Sequence, residues 1–333
     1  MVCKMSGESL FEIRNVKKYF PIKGGIIPKA VEWVHAVDGV TFDIRRGETF
    51  GLVGESGCGK TTTGRLIIGL EKPDEGKIVF KEPNGRTYVI NEISGRDRKY
   101  IASKIGVVFQ DPHLSLNPRM RIKSIVREPL DIHGHMHTSK SEKDELVLKM
   151  LENVGLDASY ANRYPYELSG GEKQRVAIAR ALIANPEFIL ADEPVSSIDV
   201  SIRSQILNLM KDLISQFKLT CLFISHDLSV IEYISDRIGV MYLGKIVELA
   251  PVEAFKDALH PYSITLISAV PVPGKRSKKR IILKGAVPSA INPPPGCRFH
   301  TRCPFATPKC KKEEPKLIEV EKDHLIACHL YEQ

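Results

Sequence analysis

A glycine-rich stretch, Gly54-Glu55-Ser56-Gly57-Cys58-Gly59-Lys60-Thr61, constrains this chain more than any other feature. The apolar run before it, 49–53, reads as a buried strand, and residues 61–69 read as a helix. Eight positions thus match the phosphate-loop pattern in the strand–loop–helix setting that the pattern requires. Glycines let backbone N–H groups converge on an anion without Cβ clashes, and the helix start adds unsatisfied donors and a favourable dipole. Lys60 is then expected at the β- and γ-phosphates of a nucleoside triphosphate, with Thr61 on Mg2+ and Thr62 closing the cradle.

At 333 residues the chain has room for one large domain and a smaller one. No apolar run approaches 18 residues, so no membrane span is expected. Charges run through residues 1–20, which excludes a secretory signal there and points to a reducing, cytosolic setting. The net charge of +8 is uneven: residues 271–333 hold 13 Lys/Arg against 6 Asp/Glu, a net +7. The basic run 275–280 reads as a solvated linker, with nucleic acid or an anionic membrane surface as alternatives.

Taken in order, residues 10–16 alternate and read as an edge strand, followed by a Pro/Gly-rich excursion at 21–28. Further strands are expected at 37–44, 76–80 and 87–90, the last two around the turn Pro83-Asn84-Gly85. Residues 105–109 read as a short strand and 115–165 as mainly helical. Ser141 with Asp144 forms an expected capping box ahead of the apolar positions Leu146, Met150, Leu151 and Val154. Buried strands follow at 188–192 and 220–225, helices at 200–217 and 228–234, and a hairpin at 238–249. This alternation argues for a mostly parallel α/β sheet covered by helices. A boundary falls near 271–280, and Asn292-Pro293-Pro294-Pro295-Gly296 forbids regular structure beyond it. Three alternating histidines, His133, His135 and His137, read as an exposed connection.

The strand at 188–192 ends in two carboxylates. Asp192 is placed to hold Mg2+ opposite Thr61, and Glu193 to polarise a water for in-line attack on the γ-phosphate. Ser169 is a natural N-cap with Glu172 at N3, so Leu168-Ser169-Gly170-Gly171-Glu172 opens a helix and forms a second anion site. This last motif resembles the signature of ABC-type ATPases. Gln110 resembles the family's Q-loop glutamine, which also approaches Mg2+. Asp199 in Ser197-Ile198-Asp199 resembles the D-loop, His226 the switch histidine, and Tyr19 the adenine-stacking aromatic. The resemblance spans residues 10–250 in family order. It implies a P-loop NTPase of ABC type, with a mixed sheet core, an antiparallel β subdomain and a helical subdomain at about 111–180. It further implies head-to-tail pairing, in which each signature helix caps the nucleotide held by the other subunit. The family usually has Gln where this chain has Glu172, which is expected to weaken closure modestly.

Four cysteines, Cys297, Cys303, Cys310 and Cys328, fall in the basic tail without a Cys-x-x-Cys pair. Among Arg298, Arg302, Lys309, Lys311 and Lys312 they suit an anionic iron–sulfur cluster. Asn292 to Cys297, Arg302-Cys303-Pro304, His260-Pro261-Tyr262 and Ser115-Leu116-Asn117-Pro118-Arg119 resemble oligopeptide/dipeptide-type ABC importer ATPases. That subfamily implies a nucleotide-binding domain at 1–270 and an extension at 271–333, whose four cysteines ligate a [4Fe–4S] cluster in some members. It implies ATP hydrolysis on the cytoplasmic face of the membrane, a second ATPase chain in a heterodimer, two permeases and, indirectly, a solute-binding protein. Peptides are the expected cargo, with oligosaccharides or nickel complexes as alternatives. A soluble ABC-type ATPase on nucleic acid is the reading from another class, and nucleic acid is not expected.

Overall fold

A computed structural model describes residues 7–24, 29–133, 139–269, 283 and 285–332. The whole 271–280 boundary with its basic run 275–280, the 25–28 part of the Pro/Gly excursion, His135 and His137 lie outside the described residues.

By contact density the chain forms two units. One comprises 1–8, 45–49 and 92–224; the other comprises 9–44, 50–91 and 225–333. The second unit begins with β1 (Ser9–Gly24), β2 (Lys29–Arg45), β3 (Thr49–Val53), α1 (Lys60–Ile67), β4 (Glu75–Lys81) and β5 (Thr87–Val89). Its four-stranded sheet runs β2-β1-β4-β5, so the strand expected at an edge is interior. β1 pairs antiparallel with β4, Phe11 opposite Phe80, and its inward residues Leu10, Phe11, Ile13 and Val16 are buried. The alternation 10–16 reports a half-buried face but carries no information on which rims are paired. A bulge follows Arg14, where Asn15 sits at φ 48 and its carbonyl presses on Gly76, whose Cβ would meet it at 2.3 Å.

The first unit carries α2 (Gly95–Ser103), β6 (Ile105–Val108), α3 (Pro112–Ser115), α4 (Ile122–His133), α5 (Lys140–Asn153), α6 (Gly170–Leu182), β7 (Phe188–Asp192), α7 (Val200–Gln216) and β8 (Thr220–Ser225). Its strands β6, β7 and β8 are parallel and adjacent, with β7 and β8 buried throughout. The capping box of α5 lies two residues earlier than expected: Ser139 caps and Glu142 reaches back to the Ser139 N–H at 2.6 Å. Glu has the length for that return, whereas Asp144 is taken by Arg127 at 2.7 Å. The helix therefore turns Val147, Met150 and Leu151 inward and leaves Leu146 37% exposed.

The second unit resumes with α8 (Leu228–Ile234), β9 (Arg237–Tyr242), β10 (Lys245–Pro251), α9 (Pro261–Ala269), β11 (Ile318–Glu321) and β12 (His324–Ile326). Within it β3 pairs parallel with β9, and β10, β12 and β11 extend from β9 as antiparallel strands. The tail thus adds two strands to the hairpin edge. Glu248, fully buried on β10, accepts hydrogen bonds from His324 Nε2 (2.8 Å) and from the Leu259 and His260 N–H groups (2.8 and 3.1 Å).

His260 accepts the Tyr262 N–H at Nδ1 (3.1 Å) and caps α9. Burial holds it neutral, lowering its pKa from 6.5 to about 4 against the pull of Glu248. Between those values the unfolded chain takes up a proton that the folded chain refuses, so stability falls as pH falls. Acidification from pH 6.5 to 4 is expected to remove about 3 kcal/mol through this residue. His260→Asn, which keeps a cap acceptor without titrating, should flatten that part of a urea-unfolding pH series.

Candidate nucleotide site

The phosphate loop has the conformation its glycines permit. Gly54, Gly57 and Gly59 stand at φ 158, 79 and 107. A Cβ on Gly54 would meet the Met241 carbonyl at 2.1 Å, and one on Gly59 the Ala36 carbonyl at 2.0 Å. At Gly59 the left-handed backbone and the contact both exclude a side chain. Lys60 is buried, and its Nζ donates to the Gly54 and Glu55 carbonyls at 2.7 and 3.1 Å, so the ammonium spans the loop. Cys58 is a buried filler; burial pushes its thiol up despite the nearby Lys60 charge. Cys221 is likewise buried and raised by burial.

The expected aromatic, Tyr19, lies in the same unit. Its hydroxyl donates to Asp38 at 2.6 Å and its ring tilts against His35, centroids 4.4 Å apart. His226, also in this unit, is exposed immediately before Asp227, which caps α8.

The other unit holds Asp192, Glu193, Gln110, Asp199 and the signature residues. Asp192 is buried at the end of β7. Glu193 follows at φ 48, a left-handed conformation uncommon outside glycine, and its N–H donates to the Ile224 carbonyl at 2.9 Å. The Gln110 amide donates to the Glu193 carboxylate at 3.2 Å, and Ser197 Oγ donates to the Gln110 carbonyl at 3.2 Å. Gln110 thus bridges two neighbours some eighty residues on in sequence, its side chain meeting the Glu193 carboxylate and its backbone carbonyl meeting Ser197. Asp199 sits at the N-cap of α7 without a side-chain capping bond.

Ser169 and Glu172 form the expected capping box on α6. One Glu172 oxygen accepts from Ser169 N–H (2.7 Å) and Oγ (2.8 Å), and the other from Tyr160 O–H at 2.5 Å. Tyr160 first, then the Ser169 backbone, hold this carboxyl below the usual range. The adjacent glycines differ in role: Gly170 faces open space, whereas a Cβ on Gly171 would strike Ile202 at 2.8 Å. Tyr160 is a partner that sequence reading missed, because nothing local links a 3-10 segment to a helix start twelve residues on.

The four-cysteine expectation finds no support in the described residues. Among the described residues no group of three or more His, Cys, Asp or Glu side chains converges in a way that could hold a metal ion. The thiols of Cys297 and Cys328 are pushed up to about 11, chiefly by burial. Three of the five cations expected to offset a thiolate-ligated centre are paired with carboxylates: Arg298 with Asp38, Arg302 with Glu55, and Lys309 with Glu332.

Comparison with known proteins places these observations. Residues 37–196 match the ABC transporter family model, and residues 247–310 match the model for the oligopeptide/dipeptide transporter C-terminal region. The chain is 53% identical over 328 residues to the oligopeptide transport ATP-binding protein AppF of Bacillus subtilis, covering 97% of this chain and 98% of that one. It is 47% identical to the dipeptide transport ATP-binding protein DppF of Haemophilus influenzae, covering 94% of each. Among solved structures, the ATP-binding cassette MJ0796, in a dimeric post-hydrolysis state with ADP and Pi, superimposes with TM-score 0.63. It is 32% identical and covers 73% of this chain and 98% of its own. The fold is that of an ABC ATPase cassette. No helix among the described residues is long and apolar enough to cross a membrane.

Proposed function

The chain belongs to the ATP-binding proteins of oligopeptide/dipeptide-type ABC transporters, and from that premise we propose that it hydrolyses ATP to drive import of peptides. It would act at the cytoplasmic membrane face with two permeases and a second ATPase chain. Solute capture would fall to a separate binding protein.

The observation that carries the reading is the Gln110 side chain on the Glu193 carboxylate, with Ser197 on the Gln110 carbonyl, in a chain that also has a formed phosphate loop. The loop suits a polyanion, because Gly54 and Gly59 leave no room for Cβ atoms and Lys60 already spans it. Thr61, Asp192 and Gln110 would hold Mg2+, which would supply charge neutralisation to the triphosphate. Lys60 would trade its loop carbonyls for phosphate oxygens. Glu193 would accept a proton from the attacking water, with Gln110 orienting its carboxylate and His226 contacting the γ-phosphate. Ser169, Gly170 and Gly171 would present the start of α6 to nucleotide on the second subunit, and Asp199 would line that junction. Leu114, 87% exposed on α3 beside residues 115–121, is a suitable permease contact.

Affinity purification of the tagged chain from solubilised membranes tests the reading. Two hydrophobic permeases and a second ABC ATPase are expected to co-purify, and ATP turnover should require them. Recovery of duplex DNA or ribosomes in their place would contradict it.

A further inference from the structure

Glu55 is the acidic residue of the phosphate loop, and its neighbours come from far along the chain. Its N–H donates to the Tyr262 hydroxyl at 2.9 Å. Arg302 grips its carboxylate with two N–H groups, Nη1 to Oε2 at 2.8 Å and Nη2 to Oε1 at 3.2 Å, across 247 residues of sequence. The arginine side chain is 9% exposed and also reaches the Tyr242 hydroxyl at 3.5 Å. Tyr242, Tyr262 and Phe299 pack as an aromatic cluster, centroids 4.7 to 5.3 Å apart. Four residues before Arg302, Arg298 donates to the Leu243 carbonyl at 3.0 Å and pairs with Asp38. The turn beyond Leu243 is hydrogen-bonded to the loop, Gly244 N–H to the Cys58 carbonyl at 2.9 Å.

A carboxylate inside a loop built to receive a triphosphate works against that ligand unless its charge is cancelled. A bidentate guanidinium cancels it and fixes its direction, whereas a lysine would supply charge alone. We propose that Arg302 is a positioning residue of the nucleotide site, neutralising Glu55 and holding the phosphate loop in its anion-binding shape from the C-terminal segment. The inference rests on the reading that loop 54–61 binds ATP.

The test is calorimetric titration of the full chain with MgATP, after circular dichroism confirms folding of each variant. R302Q is expected to weaken binding about tenfold, and R302K by an intermediate factor. Removing both charges in R302Q/E55Q should restore affinity to within two- to threefold of wild type. In the assembled transporter R302Q should raise KM for ATP and leave kcat within about twofold. K309Q, which breaks the exposed Lys309–Glu332 pair of the same segment, should bind as wild type. Unchanged affinity in R302Q, or a double variant as weak as R302Q, overturns the proposal alone. If R302Q does not fold, R302K decides, and wild-type affinity there overturns it. A K60A chain that binds MgATP at wild-type strength overturns the loop assignment, and the proposal with it.

Discussion

Replacing Glu193 by Gln is expected to lower ATP turnover of the assembled transporter by about 100- to 1000-fold, while ATP stays bound and holds two ATPase subunits together. The factor is what a positioned general base contributes. The substitution preserves shape: a glutamine oxygen can still accept the Gln110 amide, now 3.2 Å from the carboxylate. The left-handed backbone at φ 48 is no harder for Gln than for Glu, so unfolding free energy should change by less than about 0.5 kcal/mol. What disappears is the proton acceptor. Phosphate release measures the first effect, and light scattering of the ATP-loaded variant measures the second. Turnover within fivefold of wild type would remove Glu193 from the chemistry. A monomeric ATP-loaded variant would remove the interfacial role of the Ser169 helix start.

Truncating Glu248 to Ala is expected to cost about 3–5 kcal/mol of stability, read as a lower urea midpoint with unchanged slope. The carboxylate has no exposed surface and serves three donors at once: His324 Nε2 and the Leu259 and His260 N–H groups. Its removal leaves those donors buried without an acceptor, at roughly 1–3 kcal/mol each before relaxation. Burial alone would raise the Glu248 pKa. The hydrogen bond from His324 and those from the backbone more than offset it, so the carboxyl stays below 4.5. Its contribution is therefore present above that value and fades as pH drops through the lower folded one, adding to the acid sensitivity of His260. A loss under 1 kcal/mol would mean that the β10–β12 pairing holds without this carboxylate.

Acid lability and nucleotide chemistry were legible to very different degrees. The phosphate loop, the Ser169–Glu172 cap and strands β3, β7 and β8 could be read directly, because each is a property of contiguous residues. Glycine admits the backbone that Gly57 and Gly59 adopt, a serine three positions before a glutamate caps, and an unbroken apolar run must be buried. Even local chemistry has limits where two registers compete, as with Ser139–Glu142 and Ser141–Asp144. There the choice fell to Arg127, a residue on a different helix.

What only the tertiary structure decided is the destination of charges and edges. The cations of the tail looked suited to a thiolate cluster in sequence, yet Arg298 and Arg302 go to Asp38 and Glu55, more than 240 residues away. β1 reads as an edge strand and lies inside its sheet, since alternation reports one face and not the neighbours. Nothing in the sequence links Glu248, His260 and His324, and they form a buried cluster because strand pairing brings β12 beside β10. A charge is satisfied by whichever opposite charge folding brings within about 3 Å, and that distance is set by the whole chain's path.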